Sequence, residues 1–154
     1  MRVLAGIFEH SPWIAEAAWS RKPFLSVDQL HSALCDAVRE ADVDKHLTLI
    51  RAHPDLVGRA ALEGTLTPAS KSEQASAGLD RLSPHEIERF KRHNAEYRQK
   101  FGFPFVICAR LNKKEAILKG FESRLNHSRD EEIKAALEEI YKIAYFRLQD
   151  ILRA

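Results

Sequence analysis

Phe103-Pro104-Phe105-Val106-Ile107 is the run whose reading settles the fold class. It is the one stretch that reads as extended, because Gly102 breaks the helix before it and Pro104 keeps the following residues out of one. A single extended run has no strand to pair with, so a sheet is not expected. Just upstream, Ser83-Pro84-His85-Glu86 combines an N-cap, a proline at the first helical position and a capping-box glutamate. It opens a helix that carries Ile87, Phe90 and Tyr97 and ends at Gly102. Downstream, Asn112 with Glu115 caps a helix bearing Ile117, Leu118, Phe121 and Leu125, and Ser128 with Glu131 caps the last and longest helix, residues 129–152. Toward the N-terminus, Thr67-Pro68 opens a short helix that closes near Gly78. Val43, Leu47 and Ile50 keep the helical period up to His53-Pro54. Ser26 with Gln29 is a capping box for a helix with Leu30, Leu34, Ala37 and Val38 on one face, and Ser11-Pro12 supplies another cap and first-turn proline. The expected fold is all-α: a single bundle-like domain over residues 1–154 with seven or more helices.

Composition excludes several function classes. Forty-five per cent of the 154 residues are hydrophobic, too many for a disordered polar chain, and the length suits one domain. Cys35 and Cys108 are too few for a disulfide scaffold and match no zinc spacing, so a reduced, cytoplasmic protein is the default expectation. Lys and Arg number 24 against 22 Asp and Glu, mixed along the chain, and a nucleic-acid partner is not expected without a basic face. The apolar run Val3–Phe8 is too short for a signal peptide, and no stretch suggests a membrane helix. The C-terminal Leu152-Arg153-Ala154 is not a peroxisomal address. No metal site is expected: seven histidines occur, but none in a His-Glu-x-x-His pattern. Glycine-rich phosphate loops and the Gly-x-Ser-x-Gly elbow are also missing.

Four features could carry chemistry. Ile133, Leu137, Ile140, Ala144 and Ile151 form an apolar stripe on the last helix, and Arg147 falls inside it. A guanidinium there needs an anionic or carbonyl partner within the fold, unless it snorkels to the surface. A purely structural salt bridge would also account for it. Ser70, Glu73 and Gln74 share a helix face, which is either a polar ligand-binding face or a solvated one. His53, held by Pro54 just after a helix, is placed to present its ring to a pocket, though a capping or surface histidine would look the same. The chain from Phe101 to Ala109 leaves backbone groups that must be satisfied by a neighbour or by a ligand. Cys108 reads as a small core residue rather than a nucleophile.

These features occur in a recognisable order. Phe8-Glu9-His10-Ser11-Pro12-Trp13, His53-Pro54-Asp55-Leu56, Ser70-Lys71-Ser72-Glu73-Gln74 and Ala77-Gly78-Leu79-Asp80 are followed by Asn94-x-x-Tyr97-x-x-Lys100-Phe101-Gly102-Phe103-Pro104-Phe105-Val106-Ile107 and the helix of Arg147. The whole resembles the 2-oxo-4-hydroxy-4-carboxy-5-ureidoimidazoline (OHCU) decarboxylases of urate breakdown, which yield (S)-allantoin. The resemblance implies a cofactor-free, metal-free, homodimeric carboxy-lyase acting on a small molecule in the cytoplasm, with neither membrane nor nucleic acid as partner. It makes His53 the catalytic histidine, with Glu73 and Arg147 beside it. It makes Pro54, Ser70, Glu73, Gln74, Arg147 and the backbone of Phe105, Val106, Ile107, Cys108 and Ala109 the substrate-binding positions.

The chemistry is consistent with that expectation. Most decarboxylases need a cofactor as electron sink. In this substrate a C=N bond lies beside the carbon that loses CO2, so the ring can accept the electron pair itself. His53 is expected as general acid/base, Glu73 as acceptor for ring or ureido N–H groups, and Arg147 as partner of a carbonyl or of growing ring charge. Rival readings are a lyase or hydrolase on another ureide using the same residues, and a non-enzymatic helical binding module.

Overall fold

A computed structural model of the chain describes Leu4 and residues 6–153. Eight α-helices follow one another: α1 (Trp13–Trp19), α2 (Val27–Arg39), α3 (Val43–Arg51), α4 (Arg59–Glu63), α5 (Pro68–Ser76), α6 (Pro84–Phe101), α7 (Lys114–Arg124) and α8 (Arg129–Arg153). Among the described residues no strand forms. The all-α expectation therefore stands, and the extended run at 103–108 crosses the molecule unpaired by any sheet.

The caps explain where the helices start. Ser83 and Glu86 form the full reciprocal box at the head of α6, and Ser128 and Glu131 do the same for α8. Gly102 ends α6 in the left-handed conformation, φ +81°, which costs a glycine little. Three caps differ from the sequence reading. The Ser26 hydroxyl accepts from the Gln29 N–H, but the Gln29 side chain reaches past Ser26 to the Leu25 N–H, so the box is only half made. Ser11 turns its hydroxyl to the Glu9 carbonyl instead of capping α1. Asn112 donates to the Cys108 carbonyl, and α7 starts two residues later with no side-chain cap. For Ser11 and Asn112 the short polar side chain found a nearby backbone carbonyl instead of the helix end.

Helix α8 is the spine. At 25 residues it is about 37 Å long, and α2 and α3 pack against it. Ala136, Ile140, Ala144 and Leu148 on its inner face are almost fully buried. At one flank, Tyr97, Phe101, Phe103, Phe105 and Phe121 pack ring on ring, with Phe105 stacked on Phe121 at 3.9 Å between centroids. These rings fasten the extended run to α6 and α7. Beneath them lies a fully buried carboxylate, Glu132, which accepts from the Tyr97 hydroxyl, from Arg124 Nε (2.8 Å) and from the His127 ring (2.7 Å).

Candidate active site

Three segments far apart in the chain meet against a fourth, α8. The first is the end of α3. His53 lies two residues past the helix, and its ring Nδ1 is 3.0 Å from the Leu49 carbonyl, a last-turn acceptor that also takes the Ala52 N–H at 3.2 Å. A carbonyl can only accept, so Nδ1 carries the proton and Nε2 keeps its lone pair. Nε2 is buried without a hydrogen-bond partner. Burial lowers the ring's pKa to about 4, well below the ordinary 6.5, against opposing contributions from the Leu49 carbonyl and the Glu9 carboxylate. At neutral pH His53 is therefore an uncharged base.

The turn after His53 is tightly tied. Val57, a β-branched residue, sits at φ +54°, where such residues are rarely found. Its N–H donates to Gln74 Oε1 (3.1 Å), Gln74 Nε2 donates to the Asp55 carbonyl (3.4 Å), and Asn94 donates to the Leu56 carbonyl (2.8 Å). Both ends of the Gln74 amide are thus committed to the backbone that carries His53-Pro54.

Helix α5 supplies the second group. Thr67 caps it by accepting from the Ser70 N–H (3.2 Å), and Ser70, Glu73 and Gln74 turn inward together. Across from them Arg147 on α8, 5% exposed, donates from Nε and Nη2 to the two Glu73 oxygens, each at 2.8 Å. This is the bidentate geometry a guanidinium favours. The remaining Arg147 donors make longer bonds: Nη1 to the Gly6 carbonyl (3.4 Å) and Glu9 (3.5 Å), Nη2 to Ser70 Oγ (3.4 Å). Burial opposes the guanidinium charge, but the Glu73 pair and the Glu9 carboxylate together outweigh it and raise the pKa.

The extended run forms the third wall. Its backbone is satisfied in part by side chains: Arg124 Nη1 donates to the Val106 carbonyl (2.6 Å), and the Cys108 N–H donates to Glu139 (3.0 Å). His53, Pro54 and Leu56 face Ser70, Glu73 and Gln74 across a tight cleft, closed on its other sides by Phe105–Ile107, Ala109, Ile143 and Arg147. Its empty space, mouth included, is about 370 Å³. Among the described residues no group of three or more His, Cys, Asp or Glu side chains is placed to hold a metal ion.

A sequence model of the OHCU decarboxylase family matches residues 1–149. The chain belongs to the OHCU decarboxylase family. It is 48% identical over 144 residues to the OHCU decarboxylase of Haloferax volcanii, covering 94% of this chain and 83% of that one. Against the mouse OHCU decarboxylase the identity is 39% over 155 residues, covering 99% and 85%. Among solved structures, a crystal structure of (S)-allantoin synthase superposes with a TM-score of 0.77 at 31% identity, over 97% of this chain and 48% of that one. One of OHCU decarboxylase in the presence of (S)-allantoin gives 0.79 at 23% identity over 99% of both, and that likeness speaks for the fold.

This OHCU decarboxylase family member departs from the sequence reading in three places. Cys108 does not line the cleft; its thiol is buried, which raises its pKa, and its N–H is taken by Glu139. Glu9, which the sequence places in the Phe8–Trp13 motif without a role, is 3% exposed and bonded to Thr67, Ser70 and Arg147. Ile143 was also missed, although its position four residues before Arg147 puts it on the same face of α8.

Proposed function

We propose that this cleft decarboxylates OHCU to (S)-allantoin, with His53 as its proton-transfer group. The observation that carries the reading is the buried, unpartnered Nε2 of a neutral His53, across a tight cleft from the Glu73–Arg147 pair. As the C4–carboxylate bond breaks, its electron pair forms C4=C5, and the C5=N π pair moves to the ring nitrogen, which takes a proton. The C4 hydroxyl then gives its proton to His53 Nε2 as C4=O forms, and the C4=C5 pair takes a proton at C5 on one face. One proton is consumed overall, and CO2 leaves. Two carboxylates, Glu9 and Glu73, stand against one guanidinium around the cleft. A substrate carboxylate is therefore poorly solvated there compared with the CO2-like transition state, which favours its departure.

Glu73 oxygens accept ring or ureido N–H groups while holding Arg147. The 3.4–3.5 Å bonds of Arg147 are the ones a substrate carbonyl can replace as charge grows on it. Ser70, Pro54 and the backbone of Phe105–Ile107 and Ala109 complete the binding surface. Gln74 contributes by holding the His53-Pro54 turn.

The test generates OHCU in situ from urate, adds the protein and follows optical activity. Spontaneous decay gives racemic allantoin, so a single-handed product supports the reading. Racemate alone, at the spontaneous rate, rejects it. The enzyme is proposed to work as a single domain over 1–154, in the cytoplasm and as a homodimer. Both cysteines are buried and free, as suits a reducing compartment, and light scattering gives the subunit number. No helix among the described residues is long and apolar enough to cross a membrane.

A further inference from the structure

Glu9 does not line the cleft, yet it is one of the most buried charged residues of the chain. Its carboxylate collects four contacts from two helices. Thr67 Oγ1 donates to it at 3.1 Å, the Ser70 hydroxyl donates through a short bond, and Arg147 Nη1 lies 3.5 Å away. Thr67 also lies within 3.4 Å of the second oxygen. A carboxylate of this kind, nine-tenths buried and touching only groups that themselves line or cap the site, is costly unless its partners need it.

The direction of each bond carries the argument. Ser70 has one hydroxyl proton, and it points at Glu9. Its lone pairs are then all that Ser70 can offer elsewhere, and one already faces Arg147 Nη2 at 3.4 Å. Thr67 likewise gives its proton to Glu9 and uses a lone pair to cap α5 through the Ser70 N–H. Without the carboxylate both hydroxyls are free to rotate, and Ser70 can present a donor to the cleft instead.

We propose that Glu9 is a positioning residue for the decarboxylation: it sets Ser70 as a hydrogen-bond acceptor toward the substrate's N–H groups and backs the guanidinium of Arg147. The proposal rests on the reading of the cleft as the OHCU site. Together with His53 Nε2 and Glu73, it gives the cleft three acceptors, a pattern that selects a ligand rich in ring and ureido N–H groups. Analogues that carry a lone pair where OHCU carries N–H leave a buried acceptor facing an acceptor.

Charge offers a second readout. Glu9 faces Arg147 from α8, Ser70 and Thr67 from α5, and His53 across the loops, with Glu73 on the far side of the guanidinium. Burial pushes the Glu9 carboxyl up, but the Ser70 bond and the Arg147 charge outweigh it and hold it below the usual range, so it is ionised at working pH. Its negative charge supports protonation of His53.

The experiment compares the wild type, Glu9→Gln, Ser70→Ala and the double variant by initial rates of (S)-allantoin formation from OHCU made in situ. Wild-type turnover first establishes the site; if it fails, the functional reading fails, not the role of Glu9. Given turnover, Glu9→Gln is expected to lower kcat/KM ~10–100-fold, mostly through KM. The acid limb of the rate profile is expected to move to lower pH. In the Ser70→Ala background the same change is expected to cost less than ~3-fold, because the group being oriented is gone. Equal losses in both backgrounds, or an unmoved acid limb with unchanged KM, overturn the proposal. Should Glu9→Gln not fold, Glu9→Asp keeps the charge but withdraws the acceptor. It is then expected to lose kcat/KM in the wild-type background and not in Ser70→Ala, and full activity overturns the proposal.

Discussion

His53 ties its Nδ1–H to the Leu49 carbonyl and hides Nε2 from water, so folding selects the neutral ring. That selection has a thermodynamic signature. The folded-state pKa is about 4 and the ordinary value 6.5, so between these pH values the unfolded chain binds more protons than the native one. Stability is therefore full above about pH 6.5, falls as the pH drops toward 4, and stops falling on this account below it, a loss of up to about 3 kcal/mol. In His53→Asn the slope over that window should disappear while the helical CD spectrum persists, and turnover should be lost with it. Urea midpoints at half-unit pH steps measure the first, and allantoin formation the second. A variant with normal turnover removes His53 from the mechanism, and an unchanged slope shows that some other group titrates there.

The extended run between α6 and α7 stays in place because its neighbours supply hydrogen bonds and aromatic faces. Arg124 of α7 does both, donating to the Val106 carbonyl and to Glu132 while lying 4.4 Å over the Phe105 ring. Arg124→Met keeps much of the volume but leaves Glu132, which has no exposed surface, with only Tyr97 and His127. The expected cost is about 3–5 kcal/mol of stability, seen as a lowered urea midpoint. KM should rise as well, since Phe105–Ala109 lose an anchor; a midpoint within ~0.5 kcal/mol of wild type would show that the aromatic stack alone suffices. At this scale much was legible. Ser83/Glu86, Ser128/Glu131 and Gly102 mark their helix ends because both partners of each cap lie within four residues. Asn112 and Ser11 misled because a backbone carbonyl of the folded turn outcompeted the helix end for the side chain. The one-turn helices α4 and Ala109–Leu111 carry no periodicity long enough to read.

Over the whole molecule, residues 9, 53, 70–74 and 147 converge from both ends of the chain onto one side of α8. Arg147 was legible because a charge interrupted an apolar stripe, and Ser70, Glu73 and Gln74 because helical spacing puts them together. Glu9 was not, because a single acidic residue at the end of an apolar run looks like a surface stop, and only the tertiary fold shows what it meets. The same convergence makes the ion cluster a test of what holds the ends of the chain together. Arg147→Met leaves Glu9 and Glu73 facing each other in a buried space without their cation, at a cost of about 3–5 kcal/mol. Without the guanidinium charge, burial pushes the Glu9 carboxyl up and favours its protonation, so this variant should regain stability as the pH falls below neutral, opposite to the trend set by His53. Combining Arg147→Met with Glu9→Gln and Glu73→Gln removes every formal charge of the cluster while keeping its volume. Buried ion clusters replaced whole by neutral groups are often no less stable than the original, so the triple variant should recover most of the lost midpoint and lose the pH reversal. It should still fail to make (S)-allantoin, because the groups that meet the substrate are gone. A triple variant as unstable as Arg147→Met alone would mean that the guanidinium's packing, rather than its charge, joins α5 to α8.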